Sequence, residues 1–211
     1  MLTCRRVRRR SSGVGLVELM VALVVGLVVV GAVLALVVAI MKSNRETLQS
    51  TRLNQELRAT LALIANDLRR ARGVADPLSS AVDINGNPYK AVSTATGGCV
   101  VYGYDGALDG PWHVIKLVSG TVVLQGATTR PVDCSPSGTP IPLGSDQVEI
   151  TSLAFTPTTT SATPPDASDE SIVREFTVTI TGRLIDQDAE LSSMSRTMSQ
   201  SIYVRSIGTG I

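Results

Sequence analysis

The chain has 211 residues with 19 basic and 18 acidic side chains, a formal net charge of +1, and 44% of its residues are hydrophobic. That balance gives no basic stripe for nucleic acid, and a single histidine excludes a metal cluster built from several imidazoles. The charge is unevenly placed: residues 1–13 hold five arginines and no acid, and taking those five from 19 leaves 14 basic against 18 acidic residues, or −4, for the rest.

The first stretch, MLTCRRVRRRSSG, is a basic leader that meets an apolar run at Gly13. From Val14 to Met41 there are 28 residues and one ionisable side chain, Glu18, where roughly 20 apolar residues suffice to cross a bilayer. A carboxylate in such a run costs at least about 2.5–3.5 kcal/mol on insertion scales. No basic residue lies within helical reach of it. The plain reading is a signal anchor with Glu18 at the interface; the sharper one is a charge whose partner lies on another molecule. A secretory signal peptide carries a small-residue cleavage site after its apolar region, and here that end reads VAIMKSNRE. Arginines before the run, against Lys42 and Arg45 beside Glu46 after it, place the leader in the cytoplasm and residues 42–211 outside.

Gly13-Val14-Gly15-Leu16-Val17-Glu18-Leu19-Met20-Val21-Ala22 resembles the type IV prepilin processing motif. The resemblance implies cleavage between Gly13 and Val14 by a prepilin peptidase, N-methylation of Val14, and retention of Glu18 in the mature apolar helix. Val14 and Gly15 stand where the family most often has Phe followed by Thr or Ser. In a bacterium the topology then puts the remainder in the periplasm.

Residues 42–72 contain no Gly or Pro and are rich in helix formers. Leu53, Leu57, Leu61, Ile64 and Leu68 recur at the spacing of an amphipathic stripe. One helix is expected from about Val14 to Arg72, on the order of 85–90 Å long, with Arg69, Arg70 and Arg72 in its last turn and Gly73 as its stop signal. The expected parts are a leader over 1–13, a membrane or assembly helix over 14–41, its amphipathic continuation over 42–73, and a head over 74–211.

Within the turn-rich stretch that follows, Asp83-Ile84-Asn85-Gly86-Asn87 has oxygen side chains at alternate positions, as a calcium loop would. The acid such a loop needs downstream is missing, since position 94 is Thr, and Asn-Gly and Asn-Pro read as a plain turn. Strands are expected at Cys99–Tyr104, Trp112–Val118, Thr121–Gln125 and Gln147–Thr156, with Ser119-Gly120 as a tight hairpin turn. Strict alternation in EFTVTITGRL puts Phe176, Val178, Ile180 and Leu184 on one face. With SRTMSQSIYVRSI it forms a long antiparallel hairpin closing the sheet, and a low-complexity loop, 157–171, precedes it. The expected fold class is α+β, a long N-terminal helix packed on a mainly antiparallel β-sheet head.

Cys4 would leave with the leader; Cys99 and Cys134 remain as an even pair in an oxidising compartment. A disulfide there closes a loop of about 35 residues, contributing about 3–4 kcal/mol in the chain-entropy treatment. Two buried thiols are the alternative, and a zinc site lacks spaced histidines. Catalytic constellations are not evident: His113, between Trp112 and Val114, reads as an ordinary strand residue, and Asp186, Asp188 and Glu190 read as a solvated turn. No enzyme activity, cofactor or metal is expected.

LVELMVALVVGL, NDLRRARG, GCVVYGYD, WHVIKL with GTVVL, and SRTMSQSIYVRS are together similar to PilW-type minor pilins. That resemblance implies a subunit that primes or assembles a type IV pilus serving adhesion, twitching motility or DNA uptake. Its implied partners are prepilin peptidase, other minor pilins and the major pilin, the inner-membrane assembly platform and membrane lipid. The J-type minor pseudopilin of type II secretion shares the leader and the helix–sheet plan. A single-pass membrane-anchored periplasmic enzyme or adhesive domain is the alternative of another class.

Overall fold

A computed structural model describes residues 15–75, 87–94, 98–107, 109–158, 175–185 and 193–204. The leader, Val14, Asp83 to Gly86, the 157–171 loop beyond Thr158 and the acidic loop 186–190 lie outside the described residues. The chain divides into two compact units, Met1–Thr47 and Leu48–Ile211.

Helix α1 spans Leu16–Leu68 and contributes to both units. Seven strands follow: β1 Cys99–Gly103, β2 Trp112–Val118, β3 Thr121–Ala127, β4 Ile141–Pro142, β5 Val148–Thr158, β6 Glu175–Leu184 and β7 Ser195–Tyr203. They form two antiparallel sheets, ordered β1-β2-β3-β4 and β5-β6-β7. The molecule is therefore α+β with helix first, but a single sheet ending in a hairpin is corrected to two. β5 does not continue the β3 ladder: Ile150 N–H donates to Gly120 O (2.7 Å), and β5 pairs along its length with β6 instead.

In the second unit the helix buries Leu53, Leu57, Leu61, Ile64, Ala65 and Leu68. These pack in one core with Val100 and Tyr102 of β1, Ile115 of β2, Leu153 and Phe155 of β5, and Phe176, Val178 and Ile180 of β6. The period of 3.6 on the helix meets the period of 2 on the strands. On the other face of the first sheet, Val101, Trp112, Val114 and Ala127 form a smaller cluster with Tyr89 and Cys134 against it. The 5.6 Å edge-to-face contact of Tyr89 and Trp112 belongs to this cluster.

The β2–β3 turn places Ser119 at φ 47° and Gly120 at φ 80°, the left-handed pair that a two-residue hairpin requires. The helix end departs from the sequence expectation. α1 stops at Leu68, so Arg69, Arg70 and Arg72 follow it rather than fill its last turn. The left-handed residue is Arg72, at φ 63°, not Gly73. Hydrogen bonds hold Arg72 there: its N–H donates to Gly103 O (2.8 Å), its Nε to Lys90 O (2.7 Å), and its carbonyl accepts from Asn87 Nδ2 (3.2 Å). Only 3% of Arg72 is exposed. Fixing the backbone at both ends of the side chain offsets the cost of a non-glycine residue in this region.

Candidate functional site

Two sets of residues carry chemistry: the N-terminal stretch of α1 and a polar cluster where α1 ends. In the first unit every described residue from Gly15 to Met41 is exposed. The best window in this helix has a mean hydropathy of 3.2 with nothing buried, long and apolar enough to cross a membrane. Glu18 stands in the first turn, beside the Leu19 N–H that donates to Gly15 O (3.2 Å). A carboxylate is well placed there, since the unsatisfied N–H groups of a helix start carry partial positive charge. Gly26 and Gly31 have open space where a side chain would sit. Gly13 and Val14, the junction residues, lie outside the described residues.

Cys99 opens β1, and a disulfide joins it to Cys134 in the segment following β3, with Cα atoms 6.3 Å apart. Lys116 Nζ donates to Cys134 O (2.8 Å), so the same segment is tied to β2 next to the bridge. The bridge holds that segment against Val101, Trp112, Val114 and Ala127.

The second set was not singled out as a group by the sequence. Asp67, one residue before the helix ends, accepts from Tyr102 Oη at Oδ2 and from Tyr104 Oη (3.0 Å) at Oδ1. Arg70 Nη1 lies 3.8 Å from the same carboxylate, and its guanidinium sits 4.3 Å from the centre of the Tyr104 ring. His113 lies nearly parallel to Tyr104, with centroids 4.4 Å apart, and 5.6 Å from Tyr102. The register explains the meeting, because Tyr102 pairs with His113 across β1 and β2. Burial, then the Asp67 carboxylate, pushes Tyr104 up to about 12 and Tyr102 well above the ordinary phenol range. Burial lowers His113, with Asp67 opposing and Arg70 adding to the effect. Asp67, Arg70, Tyr104 and His113 line one cavity of about 340 Å³, together with Gly106, Ala107, Asp109, Leu124, Gly126 and Ile141. His113 thus joins a polar cluster on an otherwise ordinary strand. The detectable signal was an acid at 67 beside the buried stripe, with Tyr102 and Tyr104 at i, i+2 along the expected strand Cys99–Tyr104, although β1 itself ends at Gly103.

Residues 46–204 match the family described as prepilin peptidase-dependent protein B, and residues 8–34 match the prokaryotic N-terminal methylation motif. Among solved structures, the chain is similar to a type IV-like pilin from Thermus thermophilus, with 11% identity and a TM-score of 0.47, covering 72% of this chain and 95% of that one. No curated protein matches it.

Proposed function

The chain belongs to the prepilin peptidase-dependent protein B family, and on that footing we propose that it is a minor pilin of a type IV pilus. The observation that carries this reading is the methylation motif continuing into an apolar stretch, 14–41, whose one acid is Glu18. Prepilin peptidase cuts between Gly13 and Val14 and methylates Val14. Residues 14–41 then anchor the subunit in the inner membrane with the head in the periplasm, until the same helix joins those of other pilins. The new α-amino cation of Val14 and the carboxylate of Glu18, on its own chain or a neighbour's, form a pair that strengthens in low dielectric. Desolvating both ions opposes it. Apolar contacts supply packing and the charge pair selects axial register. The role is non-enzymatic: the subunit primes or assembles the fibre with other minor pilins, the major pilin and the assembly platform, and a separate cytoplasmic ATPase drives extension.

The test compares Glu18→Ala with Glu18→Gln for processing, steady-state level and surface pili in an otherwise wild-type cell. Processed, stable Glu18→Ala protein is expected to leave piliation sharply reduced; normal piliation rejects the registry role. Mass spectrometry of the mature protein is expected to find methylated Val14 first. A gene deletion that leaves piliation and twitching intact but stops protein secretion would transfer the assignment to a minor pseudopilin.

A further inference from the structure

The cavity at the helix end carries an unbalanced charge. Asp67 is compensated within the fold by two tyrosine hydroxyls and Arg70. Asp109, on the same wall, is exposed and has no ion pair or hydrogen bond among the described residues. It is nonetheless held in place. A side chain added at Gly126 of β3 would come within 2.7 Å of both the Cβ and the carbonyl oxygen of Asp109, so this turn lies directly on the strand. With burial disfavouring the charged form of His113, Asp67, Asp109 and Arg70 sum to one net negative charge.

The rest of the lining is apolar or neutral. Leu124, Ile141 and Ala107 supply carbon surface, and His113, only 5% exposed, lines the cavity with its Nε2 lacking a hydrogen-bond partner among the described residues. A buried polar atom left unpaired costs about 1–3 kcal/mol. A partly apolar lining with a carboxylate at its rim, its Cβ held against β3, matches one kind of group: an aliphatic stem ending in a cation, which buries its methylenes and keeps its charge at the edge. The volume of about 340 Å³ admits such a side chain and excludes a folded element.

We propose that this cavity is a docking socket for a lysine or arginine side chain presented by the head of another pilin subunit, with Asp109 as its counter-ion and His113 forming a wall. The assignment rests on the reading that the chain assembles with other pilins, and names the chemistry by which its head selects a neighbour. Exposed charge pairs of this kind steer encounter and fix register more than they add affinity.

Because His113 is the only histidine, its imidazole resonances report on the cavity alone. The full chain in detergent micelles is titrated with N-acetyl-arginine amide, N-acetyl-lysine amide, uncharged N-acetyl-norleucine amide and calcium chloride. The cationic amides are expected to shift the His113 signals saturably and the norleucine amide to leave them unmoved. Asp109→Asn is expected to weaken that response by about 1.5- to 5-fold, as losing an exposed pair does, with an unchanged melting temperature. Equal responses to norleucine and arginine amides, a response to calcium alone, or no response overturns the socket. In cells, Asp109→Lys is compared with the gene deletion. If deletion abolishes piliation and the processed Asp109→Lys chain restores it fully, the socket fails while the minor-pilin reading stands. If deletion changes nothing, that reading fails, and the titration still decides whether the cavity takes a cation.

Discussion

Residues Leu16–Thr47 and Leu48–Leu68 belong to one helix, yet the first stretch buries no side chain and the second buries seven. Both are helical, although the first is rich in valine and holds Gly26 and Gly31, so the difference in burial does not follow from helix propensity. What separates them is the distribution of apolar residues around the axis. In Leu16–Met41 they face every direction, and nothing within the second unit could cover them all. In the following stretch Leu53, Leu57, Leu61, Ile64 and Leu68 form one stripe that the two sheets bury, while Leu48 and Leu63 stay exposed. One part of the helix is buried by its own chain, and the other is left exposed, long and apolar enough to cross a membrane.

The largest test of that division is a pair of truncations. Leu57 is fully buried, and its Cδ2 lies where a side chain at Gly182 of β6 would have to go. Leu57→Ala is expected to cost the head about 2–5 kcal/mol, read in urea by the fluorescence of Trp112, the only tryptophan. Leu34→Ala, a change of the same chemistry in the first stretch, is expected to leave that transition unmoved and to weaken assembly instead. A head equally destabilised by both changes would erase the distinction.

A smaller effect separates the units through the disulfide. Cys99→Ser should lower head stability by about 2–4 kcal/mol, with the segment around Cys134 loosening first over Trp112. Membrane insertion and leader processing should proceed as in the wild type, because neither cysteine belongs to the first unit. The check is a urea transition alongside a processing gel. Processing lost together with head stability would mean that the peptidase senses the head.

The sequence made the membrane-like helix legible because its signal is one-dimensional: a run of apolar residues needs no partner to be recognised. The leucine stripe and six of the seven strands were legible for the related reason that periodicity encodes a face. β4 escaped because Ile141–Pro142 is two exposed residues beside prolines, with no alternation to detect. The split into two sheets was hidden because strand pairing is a long-range choice: Gly120 O meets Ile150 N–H, but nothing local announces that β5 then turns to β6. The arginines after Leu68 were read as cations suited to a helix dipole, whereas Arg72 is fixed by contacts with Gly103, Lys90 and Asn87. The Asp67 cluster needed the register of β1 on β2 before its members could be seen as neighbours.

The smallest effect is a pH dependence confined to the second unit. His113 is stacked on Tyr104 and close to Tyr102, with Asp67, Arg70 and Asp109 as the charges acting on it. Burial lowers its folded-state proton affinity below the ordinary value of 6.5, the two carboxylates oppose that shift, and Arg70 reinforces it. A depressed value means that the unfolded chain takes up the proton first as pH falls. The contribution of His113 to stability is therefore fully present above the ordinary value and is lost as pH falls through the folded one. Melting of the head should drop as pH falls below the ordinary histidine value of 6.5 by more than carboxylate titration alone produces. His113→Phe keeps an aromatic ring beside Tyr104 and removes the titrating group, so it should flatten that part of the profile. Its thermal transition, followed at each pH beside that of the wild type, is the measurement. Coincident slopes would show that His113 takes up its proton equally well in both states and that the cluster does not sense acid. A steeper fall in the variant would show that the imidazole is held protonated by Asp67 and Asp109, reversing the sign. The first stretch of α1, whose acids are Glu18 and Glu46, has no histidine to contribute to either result.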